Sequence, residues 1–145
     1  MAESKPKSEK DAIVDAQHSF YRALEALDLS AMSAHWLHED WVQCLHPGGL
    51  MLRGWEAIKN SWEDIFRSTL QLRIEPGDPW VVQRGNVAWV SCQEKVSSAI
   101  DGEFLSAVLH STNIFGRVRG RWMLMHRHTS LLPGPPMTEA SQSVQ

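Results

Sequence analysis

Apolar residues recur every three to four positions in two early stretches of the chain and every second position in the later ones. Ile13, Ala16, Phe20, Ala23, Leu24 and Leu27 form one stripe, which predicts an amphipathic helix. Ser8 precedes it as an N-cap, with Asp11 three residues on as an acidic variant of the capping box. Asp28-Leu29-Ser30 breaks that helix and caps a short second one through Trp36. Trp41 to His46 reads as a short strand, closed by Pro47-Gly48-Gly49. Gly54 opens a third helix, with Trp55, Ile58, Trp62, Ile65 and Phe66 on one stripe.

From residue 70 the period changes to two. Leu70, Leu72 and Ile74 alternate with Gln71, Arg73 and Glu75, a strand with one buried face. Pro76-Gly77-Asp78-Pro79 interrupts it, and Trp80 to Gln83 resumes. Further strands follow over 87–96, 104–115 and 122–129, joined by turns at Asp101-Gly102 and Arg119-Gly120. Helices first and an antiparallel meander afterwards argue an α+β fold with helices on one sheet face. The last three strands are apolar on both parities, so the second face needs a cover. A second copy of the chain is the simplest one.

At 145 residues the chain fits a single domain, expected over 8–131, with a polar tail at 1–7 and a proline-containing tail at 132–145. A net charge of −3 leaves no basic footprint for nucleic acid. No apolar run approaches the ~20 residues a membrane helix needs, and the first ten residues lack a signal-peptide core, so a cytoplasmic protein is expected. Cys44 and Cys92 sit in apolar runs without a CxxC pattern and read as buried free thiols.

His126 and His128 stand at i and i+2 near the end of the last strand, so both imidazoles leave one face. With His46 or His110 they could make a three-histidine zinc site. No acid of matching parity lies on the neighbouring strands, so no metal and no cofactor is expected.

The chain resembles the nuclear transport factor 2-like superfamily, also called SnoaL-like or ketosteroid-isomerase-like. The carriers run from Phe20-Tyr21-Arg22 to Asp28-Leu29, then Asp40, His46-Pro47-Gly48, Gly54-Trp55 and the closing Gly-Arg-Trp…His-x-His-x-Ser. The resemblance implies a cystatin-like cone: N-terminal helices packed on a strongly curved antiparallel sheet, with a pocket in the wide end. It also implies a homodimer through the outer sheet face. In ketosteroid isomerases the general base is a carboxylate before a proline. His46 before Pro47 holds that place and becomes the catalytic candidate. The oxyanion donors of those enzymes fall near Phe20 and near Thr112 or Asn113, where their tyrosine and aspartate are missing.

The closing motif is similar to the association domain of calcium/calmodulin-dependent protein kinase II. At the positions of that domain's anion pocket this chain has Ile58, Phe66, Gln93, Asn113 and Thr129, none of them the family residue. Both relatives set the parity of the last strand. Met125, Arg127 and Thr129 are expected inward, and Trp122, Leu124, His126 and His128 outward on the dimer face. The expected ligand-binding residues are Tyr21, Trp41, Trp55, Trp62, Gln93, Asn113, Met125, Arg127 and Thr129. Arg127 either holds an anionic ligand or pairs with an acid such as Glu94 or Asp64. His46 either moves protons or hydrogen-bonds its own turn. The functional expectation is a small-molecule-binding domain, an isomerase, cyclase or dehydratase acting on a small carbonyl substrate. The alternative is a non-catalytic binding or hub-type assembly domain.

Overall fold

The computed structural model describes residues 7–133, so most of both expected tails lies outside the described residues. Helix α1 spans Glu9–Ala26, and Ser8 Oγ accepts from the Asp11 amide at 3.1 Å. The helix ends where Leu27 turns left-handed at φ 53° and its amide reaches back to the α1 carbonyls. Helix α2, Leu29–Ser33, starts from the Asp28 cap and is shorter than predicted. Residues 35–37 leave the helix because they pair with the sheet: Leu37 donates to Leu124 O and Leu124 to His35 O. Strand β1 is Gln43–Leu45, and β2, Met51–Arg53, returns along it after the Pro47-Gly48-Gly49 turn. The sequence pattern did not show β2, which is too short for an alternation to register.

Helix α3 covers Trp55–Ser68. Gly54 before it sits at φ 86° with its open side 3.5 Å from Asp40 O, a conformation that suits glycine alone. The remaining strands are β3 Gln71–Pro76, β4 Trp80–Arg84, β5 Val87–Ile100, β6 Glu103–Val118 and β7 Arg121–Leu131. They form one sheet in the order β2-β1-β7-β6-β5-β3, with β4 also on β5 beyond the Pro-Gly-Asp-Pro break. The sheet is mixed, not wholly antiparallel: β1 runs parallel to β7, Cys44 beside Arg127. The long connection from β1 round the helices and the meander allows this direction. Among the described residues no helix is long and apolar enough to cross a membrane.

The concave side of the sheet closes on α1 and α3 around Ile13, Phe20, Trp36, Ile58, Phe115 and Leu124, all essentially inaccessible. One irregularity decides which side chains enter it. Ile114 pairs with His126 but Phe115 pairs with Leu124, so Met125 is an extra residue in β7. This bulge shifts parity between the two halves of the strand. Trp122 and Leu124 are therefore buried in the core and do not face outward as expected. Beyond the bulge, Arg127 and Thr129 point in while His128 is exposed. Met125 is partly buried beside Gly116 and packs at the edge of the core.

Candidate functional site

Alternation along β5, β6 and β7 sends Cys92, Glu94, Ser111, Asn113, Arg127 and Thr129 into the cone. Opposite them α1 presents Gln17 and Tyr21, one helical turn apart. These side chains form one network. Arg127 donates from Nη2 to Glu94 Oε1 at 2.7 Å and from Nη1 to Glu94 Oε2 at 3.0 Å. Its Nη1 also donates to Asn113 Oδ1 at 3.1 Å, and the guanidinium carbon lies 4.9 Å from the Phe20 ring centre. Tyr21 and Ser111 hydroxyls donate to Glu94 Oε2 at 2.6 and 2.7 Å. Asn113 Nδ2 donates to Gln17 Oε1 at 2.8 Å, and Gln17 Nε2 to the Tyr21 oxygen at 2.8 Å.

The charges follow from this geometry. Burial alone would raise the Glu94 pKa, but the Arg127 charge and the hydrogen bonds from Arg127, Tyr21 and Ser111 hold it below its ordinary value. Burial works against the Arg127 cation, and the Glu94 carboxylate more than restores it. Tyr21 is pushed well up by burial and by the nearby Glu94 charge, so it stays a neutral donor.

Beside this polar floor is a cavity of about 140 Å³. Its walls are Leu24 from α1, Trp62 and Ile65 from α3, Leu72 and Ile74 from β3, Val96 and Leu109 from the long hairpin, and Pro47. The polar groups that reach it are His46, Glu94 and Arg127. His46 follows β1, where Pro47 keeps the chain extended. Its ring stands edge-on to Trp62, centroids 4.6 Å apart at 81°.

Ser61 fixes the His46 tautomer. The Ser61 hydroxyl donates to the Ile58 carbonyl at 2.6 Å, because that carbonyl can only accept. Its oxygen must therefore accept from His46 Nε2, 2.8 Å away. The proton sits on Nε2, and Nδ1 keeps its lone pair, with only the Cys44 sulfur at 3.9 Å beside it. Burial, aided by the Arg127 charge, pushes the His46 pKa down to about 4, so the ring is neutral at pH 7. Burial likewise pushes the Cys44 thiol up to about 12.

The expected site residues separate into groups. His46, Trp62 and Arg127 meet at the cavity, while Tyr21 and Asn113 belong to the network beneath it. Thr129 Oγ1 donates to Leu45 O at 2.6 Å and ties β7 to β1. Gln93 is exposed on the outer sheet face, since Cys92 and Glu94 take the inward parity. Trp41 is 54% exposed in the turn before β1. Trp55 packs on Trp36 and stacks on His38 at 4.5 Å, bordering a surface groove formed with Glu39 and Asp40. Met125, the extra residue of the bulge, packs at the edge of the core and does not line the cavity.

Sequence reasoning gave Glu94 only as a salt-bridge partner and overlooked Ser61. An acid sharing parity with Val90, Cys92 and Val96 was the readable signal for Glu94; nothing in the sequence marks Ser61. His126 and His128 stack at 6.2 Å on the outer face, with His126 against Gln43. Among the described residues, no three His, Cys, Asp or Glu side chains lie close enough to hold a metal ion.

The fold and sequence both have relatives. An NTF2-like family protein of Streptomyces avermitilis, described as a candidate dehydratase, superposes with a TM-score of 0.80 at 27% identity, covering 85% of this chain and 95% of that one. A protein of Thiobacillus denitrificans described as a candidate calcium/calmodulin-dependent protein kinase type II association domain shares the fold, with a TM-score of 0.70 at 24% identity over 90% of this chain and 99% of that one. The F-box protein SKIP8 of Arabidopsis thaliana is 27% identical over 122 residues, 83% of this chain. The chain spans about half the length of that relative, 50%. The SnoaL-like domain matches residues 13–134. With that match over most of its length and the cone it folds into, the chain belongs to the SnoaL-like domain family.

Proposed function

We propose that this domain binds a compact, largely apolar carbonyl compound in the His46 cavity and that His46 moves a proton on it, as in an isomerase or dehydratase. One observation carries the reading: a neutral imidazole with a fixed tautomer stands in a largely apolar cavity whose other polar groups, Glu94 and Arg127, are paired with each other. The volume suits a single ring; an apolar cavity of roughly 150 Å³ holds benzene. A steroid is too large for it. A proton acceptor with a pKa near 4 is only slightly weaker than the aspartate of ketosteroid isomerase, at about 4.6. In the forward step the α C–H bond breaks and its proton passes to His46 Nδ1; the C–H electron pair becomes a C=C bond and the carbonyl π pair moves onto oxygen. The imidazolium returns the proton to carbon. The Streptomyces relative described as a candidate dehydratase fits this class.

The test is hydrogen exchange at the α-carbon of cyclohexanone in D₂O, followed by NMR. The wild type should catalyse it and His46→Ala should lose at least ~10²-fold, the low end for general base catalysis. Equal rates would overturn the assignment, and binding without any exchange would leave a binding domain.

We further propose that two copies associate through the outer sheet face. Phe104 on that face is 84% exposed, and Trp89, Val108 and Ile114 are partly exposed. Ile114→Asp should yield monomers in analytical ultracentrifugation. Trp122→Ala should lower stability without dissociating the dimer. A monomeric wild type contradicts the proposal.

A further inference from the structure

Arg127 lines the His46 cavity and has donors still to give. A guanidinium carries five N–H groups fixed in one plane. In Arg127, Nη1 donates to Glu94 Oε2 and to Asn113 Oδ1, and Nη2 donates to Glu94 Oε1. The second Nη2–H and the Nε–H have no partner among the described residues. Covalent geometry sets these two side by side: Nη1 lies on the Cδ side of the plane, so Nη2 and Nε share the remaining edge. Donors left unmet on a buried cation are unfavourable, which calls for an acceptor on a bound molecule. The edge is not sealed. The fully enclosed donors without a partner are the indole nitrogens of Trp36, Trp62 and Trp122, and Arg127 Nε is not one of them. Arg127 keeps 4% exposure where Glu94 keeps none. Its charge also reaches His46, where it helps to keep the ring neutral.

We propose that this free edge of Arg127 receives the ligand's oxygen, and that the ligand is a neutral ketone and not a carboxylate. The proposal rests on the reading of the cavity given above and adds the group that meets the oxygen and the charge class of the ligand. A carbonyl oxygen has two lone pairs, one for each N–H. Charge decides the class. Arg127 and Glu94 cancel each other and His46 is neutral, so a neutral ketone leaves the cavity without net charge. A carboxylate would add an unbalanced buried anion close to Glu94. When the α-proton passes to His46, the electron pair of the C–H bond becomes the new C=C bond and the carbonyl π pair settles on the oxygen at Arg127. The enolate charge then balances the imidazolium, and two fixed N–H groups stabilise it as it develops. The reverse transfer restores the carbonyl.

The test uses ¹H–¹⁵N spectra of the arginine Nε–H groups in wild type and in Glu94→Leu/Arg127→Met, which removes both charges together so that neither is left alone in the core. The signal missing from the variant is that of Arg127. Each protein is titrated with cyclohexanone, with methylenecyclohexane, which has the same shape and no oxygen, and with cyclohexanecarboxylate. Cyclohexanone should move the Arg127 Nε–H proton downfield, and methylenecyclohexane should not. The double variant should lose about tenfold or more of the preference for the ketone over the alkene, the measure of a hydrogen bond from a charged donor. Cyclohexanecarboxylate should bind wild type more weakly than cyclohexanone does; tighter binding overturns the neutral-ketone assignment and makes the edge an anion site. If cyclohexanone and methylenecyclohexane both shift the cavity methyl signals while the Arg127 Nε–H stays unmoved, the donor assignment is overturned and the cavity reading stands. If neither perturbs the cavity methyls, both are overturned.

Discussion

The Arg127 guanidinium and the Glu94 carboxylate meet at two points, 2.7 and 3.0 Å, with Glu94 wholly buried and Arg127 4% exposed. Such a pair is held by its geometry and by its further partners. Removing one member leaves an uncompensated charge in the core. Arg127→Met or Glu94→Gln should each cost about 3–5 kcal/mol in urea denaturation, whereas the double variant Glu94→Leu/Arg127→Met should recover much of that loss. Single variants within 1 kcal/mol of wild type would show that the pair is not desolvated.

Stability should fall on mild acidification, and His46 gives the sign. Its pKa in the folded protein is about 4 against an ordinary 6.5. Between those values the unfolded chain binds a proton that the folded one refuses, so stability rises with pH across that window and is lost as pH drops through it. The full effect is at most about 3 kcal/mol. His35 and His126 are lowered as well, mainly by burial, and act in the same direction. Denaturation midpoints from pH 7 to pH 4 should decline, and His46→Gln should flatten part of the slope. An identical slope in that variant would place the titration elsewhere.

The bulge at Met125 makes its own prediction. Without it, Leu124 still faces Phe115 and His126 still faces Ile114, so neither half of β7 changes sides. Deleting Met125 should leave a folded protein with the Arg127–Glu94 pair intact, at a cost of no more than about 2 kcal/mol. In a regular strand the same deletion would turn Arg127 out to solvent and unfold the chain. Thermal melts and the crystal structure of the deletion variant distinguish the two.

The same bulge marks where sequence reading stops. Periodicity gives α1, α3 and the long hairpin because each carries a repeated apolar face. The family resemblance gives the inward side of Arg127 and Thr129. Trp122 and Leu124 are misread because one extra residue, carrying no turn or glycine signal of its own, reverses parity between Phe115 and Ile114. Gln93 fails for a related reason: the position implied by the resemblance is one residue from Glu94, and in a strand one residue is the opposite face. Trp41 and Trp55 are apolar enough for a pocket wall, yet their burial depends on where α3 and the Glu39–Trp41 turn settle, which composition does not encode. His46 is legible from its place before Pro47. Its tautomer is not, since Ser61 reaches it across fifteen residues of chain.

The central claim is that His46 is a neutral proton acceptor at a cavity that takes a ligand. Long-range ¹H–¹⁵N spectra of the His46 ring, recorded from pH 7 down to pH 4 with and without cyclohexanone, test it most directly. The account predicts a single form protonated at Nε2 down to about pH 5, and an Nδ1 signal that moves when cyclohexanone is added. An imidazolium at pH 6, or ring nitrogens indifferent to saturating cyclohexanone, would contradict it.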